Sequence, residues 1–189
     1  MFGRGFPCLA ATLAIVSACS ETPTTPQLAP GSLLASADRT VKTVPFKAFQ
    51  TQTPGDPSGV ACPAGETPGV ATAEGTGSHL GDFTSVTITC INAPVGVWSR
   101  VDGTFTAANG DELEIEMDAV NFARVIFFDA GTGDFISAGG LNVVGGTGRF
   151  DGATGSMTFR STGNVFVPGA FTTIVGEISS PGSIKWGTP

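Results

Sequence analysis

The sequence predicts an all-β domain, an up-and-down barrel or a sandwich, on three observations. About eight short apolar segments follow one another at close spacing after residue 40, with no convincing helix among them. Turn formers are abundant, with Gly 27 and Pro 13 against Phe 14 and Tyr 0. The stretch Gly145–Ser156 carries five glycines in twelve residues between apolar segments, Phe135–Val144 before it and Met157–Phe159 after it. Glycine at that density weakens a helix or a strand interior, and it suits a chain that must turn sharply with positive φ twice around one apolar residue, here Phe150. The stretch reads as the corner of the β domain.

The chain has 189 residues, a mean hydropathy of +0.23 and only 13% charged residues, which excludes an acidic disordered tail. A formal net charge of −7 argues against nucleic acid or an anionic membrane surface as a partner. Met1–Ala18 has one cation, Arg4, then the apolar run Leu9–Val16 and small residues before Cys19. That is short for a bilayer span and reads as a secretory leader (residues 1–18). Val16-Ser17-Ala18-Cys19 resembles a bacterial lipobox, in which the cysteine is diacylated and becomes the mature N-terminus. The alternative is an ordinary leader cut nearby, with Cys19 a spare thiol. On the lipobox reading Cys19 is the lipid attachment site, and its two acyl chains meet the requirement for stable anchoring. The protein is then exported and held in the cell envelope, on the outer membrane or facing the periplasm. Residues 19–38, rich in Thr, Pro and Ala, read as a flexible tether. The domain spans 39–182, and 183–189 form a tail with Trp186.

Within the domain, Val41–Gln50 is the first strand, with Val44, Phe46 and Ala48 on one face. Thr53–Gly69, with prolines at 54, 57, 63 and 68, reads as a long surface loop holding Cys62. Cys90 is the only other cysteine of the domain, and in an exported protein the pair most simply makes a Cys62–Cys90 disulfide. Two cysteines and one distant histidine cannot close a metal shell, so no metal site and no cofactor is expected. Val70–Ser78 is a second strand. Phe83–Ile91 is a third, half-buried, with Val86, Ile88 and Cys90 on one face and Ser85, Thr87 and Thr89 on the other.

The hairpin Val97–Ala119 can be read to its register. A two-residue Asn109-Gly110 turn would set Phe105 against Glu114. A three-residue loop, Ala108-Asn109-Gly110 with Gly110 left-handed, pairs Phe105 with Leu113, Gly103 with Ile115 and Val101 with Met117. The other face then carries Thr106/Glu112, Thr104/Glu114, Asp102/Glu116 and Arg100/Asp118. The acidic row is either a site for a cation or basic partner, or a solvated outer face that blocks edge-to-edge aggregation. Strands at Phe122–Phe128, Phe135–Val144, Ser156–Thr162 and Ala170–Ile178 follow, with Asn164–Gly169 read as a loop.

Gly145-Gly146-Thr147-Gly148-Arg149-Phe150-Asp151-Gly152-Ala153-Thr154-Gly155 resembles the corner motif of the allene oxide cyclase and dirigent superfamily. Gly75–Asp82 and Ala107–Asp111 are similar to pieces of its bacterial exported members. The resemblance implies an eight-stranded antiparallel barrel of the calycin type, often with an apolar cavity, and homo-oligomers, several members being trimers. Plant members cyclise an unsaturated fatty-acid epoxide or steer phenoxy-radical coupling. The structural corner (Gly145, Gly146, Gly148, Phe150, Gly152, Gly155) carries over; the family's functional residues do not, and this chain has no tyrosine for a dirigent site.

No nucleophile elbow or phosphate loop is present. His79, the one histidine, reads as a hydrogen-bonded turn residue, and Arg149 as an exposed turn residue or a partner of Asp151. Phe105, Leu113, Ile115, Met117, Met157 and Phe159 would line the interior, as packed core first and ligand cavity second. Two functions follow. One is a non-catalytic, lipid-anchored binding or structural module, with an apolar small molecule as its candidate ligand. The other is a cyclase- or isomerase-like enzyme that uses the cavity. A buried ionisable group inside would favour the second.

Overall fold

The computed structural model describes residues 41–180. The leader, Cys19, the tether and the 183–189 tail lie outside the described residues. Nine strands build a single antiparallel sheet: β1 (Lys42–Pro54), β2 (Thr67–Gly77), β3 (Gly81–Asn92), β4 (Val97–Ala107), β5 (Glu112–Met117), β6 (Arg124–Phe128), β7 (Asp134–Gly146), β8 (Thr154–Asn164) and β9 (Val167–Ser180). Strands consecutive in sequence pair with one another, except β5 with β6. β9 returns to β1 in an unbroken ladder from Lys42/Ser180 to Gln52/Ala170. β5 and β6 occupy one position, both lying between β4 and β7. The result is a closed, eight-position, up-and-down barrel, which leaves no long unpaired edge.

The shared position is interrupted by residues 118–123. There Asp118 N–H donates to Gly140 O (3.0 Å) and Gly140 N–H to Asn121 O (2.6 Å), so the loop stays bonded to β7. Asp118 caps this turn, accepting from Val120 N (2.8 Å) and Asn121 Nδ2 (3.1 Å). It therefore leaves the acidic row. The β4–β5 ladder runs from Thr106/Glu112 to Asp102/Glu116, with Phe105 opposite Leu113 and Gly103 opposite Ile115. Gly110 is left-handed (φ 86°) and Ala107 N donates to Asp111 O (2.9 Å), closing the three-residue loop. The ladder stops short of the expected Val101/Met117 and Arg100/Asp118 pairs. Arg100 instead pairs along its own strand with Asp102.

Two segments are more ordered than their composition suggests. β1 and β2 extend to Pro54 and Thr67, so the loop between them is only residues 55–66. The expected loop at Asn164–Gly169 is a tight hairpin, with Asn164 paired to Val167 and Asn164 Nδ2 tied to Thr132 O (2.8 Å) and Asp134 Oδ1 (2.7 Å).

The faces of β3 are the reverse of a half-buried apolar strand. Ser85 and Thr87 point inward and are buried, while Val86 is 49% exposed. Cys90, fully buried, faces outward beneath the 55–66 loop and is bonded to Cys62, with a Cα–Cα distance of 5.6 Å across 28 residues.

The interior is not uniform along the barrel axis. At one end Phe46, Ala48, Phe83, Phe105, Leu113 and Ile178 form a dense core. Phe150, with no exposure, sits in that core from the β7–β8 corner. Gly148 (φ 58°) and Gly152 (φ 66°) flank it, both left-handed. A Cβ on Gly148 would lie 1.9 Å from Asp111 Oδ1, and one on Gly146 would lie 2.1 Å from Glu112 O, so the corner seats directly on the β4–β5 loop. Thr147 N donates to Glu112 O (2.8 Å) and Glu112 N to Thr147 Oγ1 (3.0 Å). Arg149 joins them by a contact of Nε to Asp111 Oδ2 (3.0 Å), which is a charge contact rather than a directed hydrogen bond, and by Nη2 donating to Asn109 Oδ1 (2.9 Å). Its partner is Asp111, not the expected Asp151, because the corner turns the guanidinium toward the neighbouring loop. Ala108 N reaches Asp82 O (3.1 Å), which brings the β2–β3 turn to the same end.

Candidate functional site

Above the plug, the inward faces change character. Continuing the alternation of Val44, Phe46 and Ala48, β1 places Gln50 inside, 3% exposed. β3 contributes Ser85 and Thr87, β7 Ser137, β8 Ser161 and β9 Thr172, all buried. A chamber of about 210 Å³ opens among them. Gln50, Gln52, Thr87, Thr89, Ser137, Ser161 and Thr172 supply its polar lining, and Trp98, Phe105, Phe135 and Phe159 its aromatic surface.

Trp98 owes its place to a bulge. β3 and β4 pair Cys90 with Arg100 but Ile91 with Trp98, so Ser99 is the extra residue on β4. The alternation slips there by one, and Trp98 rather than Ser99 faces the chamber. Ser99 turns outward, where its hydroxyl meets Glu66 of the 55–66 loop.

The polar groups form two bonded pairs and leave capacity over. Ser85 Oγ donates to Gln50 Oε1 (3.0 Å), and Ser161 Oγ lies 2.6 Å from Thr172 Oγ1. Either orientation of the Gln50 amide leaves one end without a protein partner among the described residues, as is the Ser137 hydroxyl. The Gln50 amide and the Ser137 hydroxyl face the chamber, so a ligand that enters it can take up this spare hydrogen-bonding capacity. Among the described residues, no Asp, Glu, His, Lys, Arg or Cys lines the chamber.

Of the six apolar residues expected to line the interior, Phe105, Ile115 and Phe159 border the chamber. Leu113 and Met157 are buried in the core below it, and Met117 packs against that core. The polar lining escaped the sequence reading. Gln50 and the row Ser85, Thr87 and Thr89 carried a signal for it, since polar residues in register with apolar ones mark an inward polar layer.

The other singled-out residues lie elsewhere. His79, left-handed at φ 66°, is at the plugged end with Nε2 3.1 Å from Pro45 O. Partial burial holds its pKa below the usual 6.5 against the opposing effect of that hydrogen bond, with Lys42 and Arg149 adding to the depression. Glu114 and Glu116 stand exposed on the outer wall, and among the described residues no three His, Cys, Asp or Glu side chains converge as a metal set would.

Comparison with protein-family models finds no match, and comparison with curated proteins finds none. Among solved structures the chain is similar to a pterocarpan synthase dirigent protein, with 14% identity and a TM-score of 0.44 over 74% of this chain and 85% of that one.

Proposed function

We propose that this protein is an exported, lipid-anchored barrel that holds a small neutral molecule in its interior, and that binding rather than catalysis is its task. The observation that carries the reading is the chamber lining: aromatic rings and uncharged hydroxyl and amide groups, with no ionisable side chain among the described residues. General acid–base chemistry needs a titratable group within reach of the reacting atom, and a charged ligand would enter this chamber without a counter-charge. A volume of about 210 Å³ lies below the roughly 300–1,000 Å³ of sites for drug-sized ligands and above the roughly 150 Å³ that admits benzene. The ligand group that fits is about one ring in size, with a hydroxyl or carbonyl to meet Gln50 and Ser137.

Titration of the full chain with neutral phenols and cyclohexanols tests this. Saturable binding is expected, with the ligand recovered unchanged, and Ser161→Leu, which fills the chamber, abolishes it. Absence of saturable binding, or consumption of the ligand, overturns the reading. Anchoring is proposed on the lipobox-like Val16–Cys19. Labelled palmitate is expected in the mature protein and absent from Cys19→Ser; unlabelled wild-type protein sinks that part.

A further inference from the structure

The chamber is not the end of the cavity system. A second hollow, of about 680 Å³, lies at the mouth, where the β3–β4 turn, β6 and the β8–β9 hairpin meet. Its wall includes Val95, Val125, Ile126, Phe127, Phe128 and Val165, and among the described residues none lining it is charged or carries a hydroxyl or amide side chain. Several are unusually exposed for their size, among them Phe127 at 51%, Phe128 at 53% and Val165 at 57%. Contiguous apolar surface of this kind marks a place that something apolar covers. Trp98 and Phe135 line this hollow and the inner chamber alike, so those two rings stand between the two spaces.

We infer that the two form one bipartite site, and that the ligand is an elongated neutral amphiphile: a hydroxyl or carbonyl head in the chamber, an alkyl or prenyl-like tail running past Trp98 and Phe135 into the outer hollow. The division of chemistry sets the direction. Among the described residues, side-chain hydroxyls and amides line only the inner side, and the outer side is lined by aliphatic and aromatic side chains. The head is uncharged because, among the described residues, no side chain of either charge lines either space. Long-chain alcohols, aldehydes and ketones therefore fit, and fatty-acid anions do not. This inference rests on the chamber being a binding site, and it extends the ligand beyond the one-ring size that the chamber alone would take.

The test uses the full chain carrying Trp186→Phe, so that Trp98 is the only tryptophan and its fluorescence reports the junction. A series from 1-butanol to 1-octanol is titrated, with the matching alkanoates at pH 8. Each methylene added beyond butanol is expected to tighten binding roughly threefold to fourfold, the value for a buried CH₂. Octanoate is expected to bind at least tenfold more weakly than octanol. Phe127→Ser combined with Phe128→Ser, both exposed and outside the chamber, flattens the chain-length dependence, weakening octanol binding more than butanol binding. Equal affinity for butanol and octanol, or octanoate binding as tightly as octanol, overturns the inference while leaving the chamber reading intact. If cyclohexanols and alkanols alike fail to bind, both readings fall.

Discussion

The two ends of this barrel are built from the same strands and solve opposite problems. At the plugged end, three turns far apart in sequence lock together: the β2–β3 turn through Asp82 O, the β4–β5 loop through Asn109 and Asp111, and the β7–β8 corner through Thr147 and Arg149. Beneath them Phe150 fills the space between the strands. At the mouth the interior is hollow, and Phe127, Phe128, Val165 and Phe166 lie open to solvent. A closed barrel removes the need for packing at both ends, since the ladder satisfies the backbone all the way round. One end can then carry the stability while the other keeps room for a ligand.

The comparison can be broken by substitutions at the two ends. Phe150→Ala removes a fully buried ring from the plug, and a loss of about 4 kcal/mol is expected from the shift of the urea midpoint. The mouth has one strong tie of its own. Replacing Cys62 and Cys90 by Ala frees a 28-residue separation and should cost about 3.5 kcal/mol by the same measurement; a negligible loss would mean that packing, not the covalent link, holds the 55–66 loop. Gly148→Val forces a branched side chain into φ 58° against Asp111, for a loss of about 3 kcal/mol. If that variant were as stable as wild type, the corner would not be the lock described here. At the mouth, by contrast, Phe127→Ser should change stability by no more than about 0.5 kcal/mol, despite deleting a ring of the same size as Phe150.

The smallest effect is a pH dependence at the plugged end. Burial lowers the His79 pKa in the folded protein, so between that value and 6.5 the unfolded chain binds more protons. The contribution of His79 is therefore complete above pH 6.5 and declines as pH falls through that window, levelling off below the folded-state pKa. Asparagine accepts a left-handed backbone, so His79→Asn keeps the turn and should lose less stability than wild type on going from pH 8 to pH 5. Equal losses in urea melts at the two values would remove His79 from the account.

How much of this was legible depended on whether a residue's partner was also visible. The β4–β5 register followed from sequence because only one loop length sets Phe105 against Leu113 and Gly103 against Ile115. The disulfide followed because the domain has two cysteines. Periodicity failed on β3, where it divided the strand correctly into two rows and suggested the wrong one as buried. Alternation states which residues share a face but not which face is inside, and here the hydroxyl row belongs to an inner polar layer assembled from five strands. The chamber was hidden for the same reason, since Gln50, Ser137 and Thr172 are unremarkable singly and meet only when the barrel closes. Trp98 was hidden more deeply, because its inward position depends on a one-residue slip at Ser99 that no local pattern announces.

The β1–β9 seam has a consequence for how the chain reaches this state. It joins residues 42–52 to residues 170–180, so the ladder that closes the barrel spans nearly the whole domain and is the contact of greatest loop-closure entropy. Every other neighbouring pair of strands is local in sequence and can form as a growing meander. Until β9 arrives, that meander has two bare edges and an uncovered inner face. Such a chain folds slowly and is most vulnerable to misassembly just before its last strand docks.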